Sequence, residues 1–419
     1  MPSARSIGKV FFLLFLTVCF FVSMEAECEV LKIGSAVVDI SPEEPVGWYL
    51  GGYEMRKSDG IHDPLTARAV VLRQGDVRVA VVTLDFVGMF YPDSRRIAGM
   101  IAEKTGIPAE NVLIHTIHTH SAPDVAGIWG GVKKSYKKKI AYDIVDCVKK
   151  AVDSEAGATA WFASGKVDGL NMNRRNPDVD PDRELAVMEF RNGAGDVIAT
   201  LVNFACHPVI LGGDNLKITA DYPYYLRKEL QDRRGGTAMY FSRDIGNANP
   251  PKKYALHDDL YERRGGTFEM AEEHGKNVAE EVMRLLENAS ERPVNLRIVS
   301  KTITAEVENP ILLQLIKIGM IKRKMNGSMT QTVVSMVDLG PAQIVTFPGE
   351  ALPALKEDVE KFLPGPFKFF LSLTNDCAGY IVSPREWDES HYEEGMCMGK
   401  SFSGLLRDSH REIAHELFR

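Results

Sequence analysis

From residue 31 to residue 373, short β-branched runs alternate with stretches of helical period, and no linker, low-complexity tract or solenoid repeat interrupts them. That alternation constrains the fold more than any other feature. Residues 31–40, 67–72, 77–84, 112–117, 161–167, 185–191, 197–204 and 367–373 read as strands by length and β-branched content. Residues 331–339 and 343–347 read as a hairpin turning at Gly340-Pro341. Residues 92–105 carry Ile97, Met100 and Ile101 at helical spacing. Residues 134–152 have a Lys-rich outer face and a stripe of Tyr142, Val145, Val148 and Val152. Helices are also expected over 222–233, 266–286 and 351–362. Strand pairs interspersed with helices predict an α/β fold of mixed β-sheets flanked by helices, rather than a strictly parallel doubly wound sheet. Neither common Gly-rich phosphate loop appears.

Composition narrows the class. Of 419 residues, 45% are apolar and 26% charged, which excludes disordered, collagenous and polytopic membrane chains. A net charge of −7 gives no electrostatic reason to expect nucleic acid as a partner. Arg5 and Lys9 precede an apolar run over 10–24, followed by Glu25-Ala26-Glu27. Residues 1–26 therefore read as a signal peptide directing the chain to a secreted or periplasmic location, or as a membrane anchor if uncleaved. The six cysteines lack the close pairing of a disulfide framework or zinc knuckle, and only Cys377–Cys397 suggests a bridge.

The candidate chemistry starts at His115-Thr116-Ile117-His118-Thr119-His120-Ser121. In a strand, His118 and His120 share one face, with Cα atoms about 6.5–7 Å apart. They suit two metal ligands, or one ligand and one base; a hydrogen-bonded surface pair is the plainer alternative. His207-Pro208 ends a buried run, which suits either a ligand or a core histidine. Glu350 follows Pro348-Gly349 and is expected to open a helix, where the helix dipole alone accounts for it. The segment 310–325, apolar through Ile321 and then carrying Lys322-Arg323-Lys324, is expected to be a helix too short to span a bilayer. It is either a core element or an interfacial one beside a substrate entrance.

In chain order, Gly60-Ile61-His62, His118-Thr119-His120-Ser121, Asn173-Arg174, His207-Pro208, Gly246-Asn247-Ala248-Asn249-Pro250, Pro348-Gly349-Glu350 and Tyr380 with Tyr392-Glu393 resemble the neutral/alkaline non-lysosomal ceramidases. The resemblance implies a ceramidase-like zinc hydrolase domain over 30–419, without the immunoglobulin-like domain that follows it in ceramidases. It implies Zn2+ on His118, His207, Glu350 and Tyr380, with His120 as general base and acid. Tyr392 matches the oxyanion donor; His62 and Arg174 match substrate-binding residues. The implied activity is hydrolysis of an N-acyl amide, of ceramide or a related lipid, by zinc-activated water, with peripheral membrane contact allowed. Asn249 stands where the family has Ser, and an amide is no nucleophile. A zinc amidase for a non-lipid N-acyl substrate and a non-catalytic ligand-binding member are therefore the alternatives. Asp221 is a candidate to orient a ligating histidine.

Overall fold

The computed structural model describes residues 29–254 and 265–419. The signal-like segment 1–26, with Cys19 and Cys28, lies outside the described residues. The larger sheet contains β1 (Lys32–Asp39), β2 (Thr66–Gln74), β3 (Val77–Leu84), β4 (Val112–Thr116), β5 (Ala156–Lys166), β6 (Glu184–Asn192), β7 (Val197–Phe204) and β8 (Thr237–Ser242). Their spatial order is β8-β7-β6-β5-β1-β2-β3-β4, and β9 (Ser290–Arg292) adds beside β5. The smaller sheet contains β10 (Arg297–Glu306), β11 (Met325–Asn326), β12 (Met329–Asp338), β13 (Ala342–Thr346) and β14 (Phe367–Leu371), ordered β10-β12-β13-β14 with β11 beside β12.

Both sheets are mixed. The parallel pairs are β3 with β4, β7 with β8 and β13 with β14. Each is bridged by a helix crossover: α1 (Tyr91–Thr105), α3 (Tyr222–Arg234) and α6 (Pro353–Glu360). The Gly340-Pro341 hairpin forms as expected, pairing Met336 with Val345. Helix α2 (Lys134–Asp153) lies on the larger sheet, and α4 (Phe268–Leu286) pairs with α3.

Side-chain alternation explains the layering. On β2, Ala67, Ala69 and Val71 face α1 and α2, packing on Ile97, Ile101, Ile140 and Ile144. Val70 and Leu72 point the other way, against Ile344, Phe369 and Leu371 of the smaller sheet. Strands β6 to β8 behave alike, with Val187, Phe204 and Tyr240 toward α3 and α4. The outer face of the smaller sheet is covered by α6 and by α8 (Phe402–Leu417), which follows the short α7 (Tyr392–Gly395), through Leu355, Leu406 and Ile413 on Val334, Met336 and Val345. The order of layers is helix, sheet, sheet, helix. Strands buried on both faces account for the near-continuous apolar runs of β2, β3 and β7. Helix α8 and strand β10 carried no assignment from sequence. Among the described residues, no helix is long and apolar enough to cross a membrane.

Candidate metal centre and active site

Strand β4 ends at Thr116, so His118 and His120 lie beyond it. The expectation that they share a strand face is corrected. His118 adopts a left-handed backbone with φ 72°, a conformation costing a non-glycine residue about 1–3 kcal/mol. Two bonds hold it there: its N–H donates to Phe86 O at 3.0 Å, and Nδ1 lies 2.5 Å from Val87 O. This turn, not a pleat, brings the two imidazoles together, with Nε2 atoms 3.2 Å apart. His115 alone remains in the strand. It is buried, with Nδ1 2.7 Å from Ser372 O and Nε2 accepting from Ser242 N–H at 3.1 Å, so its part is structural.

His207 follows the end of β7. Its backbone N–H and its Nδ1 both bond the Ala248 carbonyl, at 3.0 and 2.8 Å. Glu350 does not open a helix. It forms a two-residue strand, Glu350–Ala351, parallel to Tyr380–Ile381, with Glu350 opposite Tyr380. The reason is backbone proximity: a Cβ on Gly349 would lie 2.3 Å from Gly379 O, so glycine lets the two segments pair, and α6 starts only at Pro353. Glu350 Oε2 lies 3.4 Å from His118 Nε2 and 3.1 Å from His207 Nε2. Ring nitrogens of His118, His120 and His207 all fall within 4.8 Å of one another.

The charge states follow from burial and neighbours. Burial pushes His207 down to about 4, against the opposing hydrogen bond to Glu350. Burial, reinforced by His118 and His207, holds His120 well below the usual histidine range. For Glu350 burial opposes ionisation, but His118 and His207 outweigh it and keep the carboxyl well below its ordinary value. The cluster groups imidazole nitrogens with a carboxylate, the donor set that zinc takes. Two of the imidazoles have Nδ1 tied to a carbonyl, the usual support of a ligating histidine. The residues present fit a zinc ion.

Tyr380 is buried beside this cluster, and burial raises its phenol well above the ordinary value, with Arg174 opposing and Glu350 adding. The Arg174 guanidinium lies 5.3 Å from the Tyr380 ring centroid, and the Tyr392 ring centroid is 5.8 Å from it, edge to face. Arg174 is itself held by Glu393, through Nε at 2.9 Å and Nη2 at 2.8 Å, and by Gly246 O. The cluster opens into a cavity of about 130 Å3, walled by Val87, Phe90, Ile128, Trp129, Leu312 and Ile316, with Tyr392 also on its lining. Asp124 shapes one wall: its carboxylate accepts from Gly127, Trp129 and Gly131 N–H at 2.8, 2.6 and 3.0 Å.

Other expected residues fall elsewhere. His62 stacks on Phe268 at 3.7 Å and bonds Asp63, and it does not line the cavity. Asn249 is buried next to Ala248, and its Oδ1 has no hydrogen-bond partner among the described residues; it too is absent from the cavity wall. Among the described residues Asp221 bonds no histidine; it caps α3 and accepts from Ile210, Leu211 and Tyr222 N–H, fixing the loop after His207. Cys377 and Cys397 are both free thiols, so the suggested bridge is corrected. Sequence reasoning missed the carbonyls of Val87 and Ala248, which no side-chain pattern can signal. It also missed Asp124, whose three acceptor bonds serve a Gly-rich loop.

Residues 31–225 match the family described as "Neutral/alkaline non-lysosomal ceramidase, N-terminal". Two solved structures resemble the chain over 93% of its length. One is the neutral ceramidase from Pseudomonas aeruginosa (TM-score 0.77, 17% identity, 74% of that chain covered), the other a ceramidase complexed with C2 (TM-score 0.76, 17% identity, 75% covered). At 17% identity the likeness to them is one of fold. Sequence over residues 31–225 and fold over nearly the whole length agree: this chain carries the N-terminal, catalytic-domain fold of the neutral/alkaline non-lysosomal ceramidases.

Proposed function

We propose that this protein is a zinc-dependent amidohydrolase that cleaves the N-acyl amide of ceramide or a related lipid. One observation carries the proposal. His118 and His207 each anchor Nδ1 on a backbone carbonyl and turn Nε2 toward the Glu350 carboxylate. A nitrogen facing a carbonyl holds the proton, so the lone pair sits on Nε2. Glu350, and Tyr380 opposite it in the two-residue ladder, complete the proposed ligand set. A bound zinc supplies Lewis acidity and a water acidified toward neutral pH.

The remaining steps belong to the chain. His120 differs from the other two histidines: its Nδ1 has no hydrogen-bond partner among the described residues. Neutral and 3.2 Å from His118, it is suited to take a proton from water and return it to the leaving nitrogen. Tyr392, half exposed beside Tyr380, is suited to donate to the developing oxyanion. Arg174, fixed by Glu393, holds the Tyr380 ring and the substrate side of the site. Asn249 stands in for the family serine and supplies at most a hydrogen bond. The apolar walls favour an acyl chain over a polar amide, and the family match supports a ceramide-like substrate. Delivery by residues 1–26 to a secreted or periplasmic space is part of the same proposal.

The test is an assay of the purified protein on a panel of N-acyl amides, with and without chelator, alongside elemental analysis. One zinc per chain and chelator-sensitive hydrolysis of long-chain amides are expected. Wild type without a transition metal, or Glu350→Ala with full zinc, would sink the ligand assignment. No hydrolysis of any amide by the zinc-loaded protein would sink the activity.

A further inference from the structure

The segment expected as one helix over 310–325 is shorter. Helix α5 (Pro310–Lys317) ends at Ile318, and an irregular stretch leads to β11. Its two faces have different fates. Leu312, Leu315, Ile316 and Ile321 line the cavity. Ile311, Ile318 and Met320 point outward, 59%, 61% and 44% exposed. Three large apolar side chains thus face solvent within ten residues, at the mouth of the cavity holding His118, His120 and Glu350. Among the described residues nothing covers them.

The basic run divides as well. Arg323 is no surface charge: its side chain is buried, it pairs with Asp376 at 2.6 Å, and its guanidinium lies 5.7 Å from the Phe90 ring centroid. Lys322 and Lys324 are exposed, as is Lys317, and none has a carboxylate partner among the described residues. The mouth therefore combines outward isoleucine and methionine with unpaired lysines on one short segment. Apolar side chains that enter an acyl boundary, flanked by cations at headgroup level, match a bilayer surface bearing negative charge. A protein partner would need a larger contiguous patch than three side chains provide.

We propose that α5 and the stretch through Lys324 form the docking surface of this protein on an anionic lipid bilayer. Ile311, Ile318 and Met320 enter the acyl boundary, and Lys317, Lys322 and Lys324 meet the headgroups. The proposal deepens the lipid-amide reading, because a substrate held in a bilayer then faces the cavity opening directly.

The test reads the segment itself. An Ile318→Trp variant of the full chain is mixed with vesicles whose acyl chains carry bromine, either phosphatidylglycerol or phosphatidylcholine. Quenching beyond that of wild type is expected with phosphatidylglycerol and much less with phosphatidylcholine. Adding Lys317→Gln, Lys322→Gln and Lys324→Gln should weaken the effect about 100-fold in lipid concentration, from the usual contribution of one lysine near an anionic surface. No extra quenching with phosphatidylglycerol overturns the proposal. Equal quenching by both lipids, or quenching unchanged by the three lysine substitutions, overturns its electrostatic half and with it the anionic bilayer. Hydrolysis of a water-soluble short-chain amide separates the two ideas. Quenching as expected without any amidase activity removes the lipid-amide reading and leaves the docking surface. Activity on the soluble amide without quenching does the reverse.

Discussion

Glu393→Leu should cost this protein about 3–5 kcal/mol of stability, because it strands a buried cation. Glu393 has no exposed side-chain surface, and its Oε1 accepts from both Nε and Nη2 of Arg174. Among the described residues, Arg174 is otherwise held by the Gly246 carbonyl at 2.9 Å and by Tyr380, whose ring centroid lies 5.3 Å away. The neighbouring Arg175 already uses Glu394, at 2.7 Å, and stands 3.8 Å from the second Glu393 oxygen. Arg174→Met alone should cost a similar amount by stranding the carboxylate. The double variant removes both charges and leaves methylenes in their place, so its cost should fall well below the sum of the two. Urea unfolding of wild type, both single variants and the double variant closes the cycle, with a coupling of at least about 2 kcal/mol expected. A second readout separates positioning from mere stability. Without Glu393 the guanidinium is free to leave the Tyr380 ring, so kcat/KM for the amide should fall while bound zinc stays, and Glu393→Gln, which keeps an acceptor, should recover part of the loss. Coupling below about 1 kcal/mol would mean that Arg174 is held by the Gly246 carbonyl and packing alone, and the reasoning fails.

Other expectations follow from the same geometry. His120→Ala should lower the rate by about 10²–10⁴-fold with zinc retained; loss of zinc in that variant would make His120 a ligand. Asn249→Ala should cost about 1–3 kcal/mol, roughly 5- to 150-fold, as one oriented hydrogen bond would, and a variant as inactive as Glu350→Ala but zinc-loaded would give Asn249 a larger part. Asp124→Ala leaves three loop N–H groups without their acceptor, so KM should rise more than kcat falls, and equal KM values would show that the Ile128–Trp129 wall stands without it. Burial pushes His115 down to about 3 and His410 to about 4, whereas both titrate near 6.5 unfolded. The unfolded chain then binds more protons in between, so stability is full above about pH 6.5 and falls as the pH drops toward 4, by up to ~2.7 kcal/mol per pH unit for two protons; unfolding midpoints flat across that range would contradict it.

Most elements were legible because they are local. The span of α2 and the turn at Gly340-Pro341 are written in a few consecutive residues, and the structure reproduces them within a few positions; the stripe itself is corrected, because Tyr142 is 56% exposed and Ile140, Ile144, Val145 and Val148 form the buried face. Strand partners are not local, and that is where reading by pattern stopped. Nothing in residues 197–204 tells that β7 runs parallel to β8 and antiparallel to β6. Glu350 was taken for a helix start because Pro-Gly before a charged residue fits one, while the segment that pairs with it begins thirty residues later at Tyr380.

The same non-local pairing explains why the site residues, scattered over more than 200 positions, meet. His118 and His120 follow β4, His207 follows β7, Glu350 follows β13 and Tyr380 follows β14. Each of those strands belongs to a parallel pair, and all four are left at their carboxyl ends. Parallel neighbours finish on the same edge of a sheet, so loops after them converge, which is the general reason that sites in α/β proteins lie there. Here two sheets contribute, and their facing is set by the apolar layer of Leu201, Met239 and Phe241 on Ile344, Phe369 and Leu371. The His-x-His pattern therefore expected the two rings together, but for the wrong reason. Its two rings converge because the chain must turn at the strand end, under the pull of the Phe86 and Val87 carbonyls that follow the parallel partner β3.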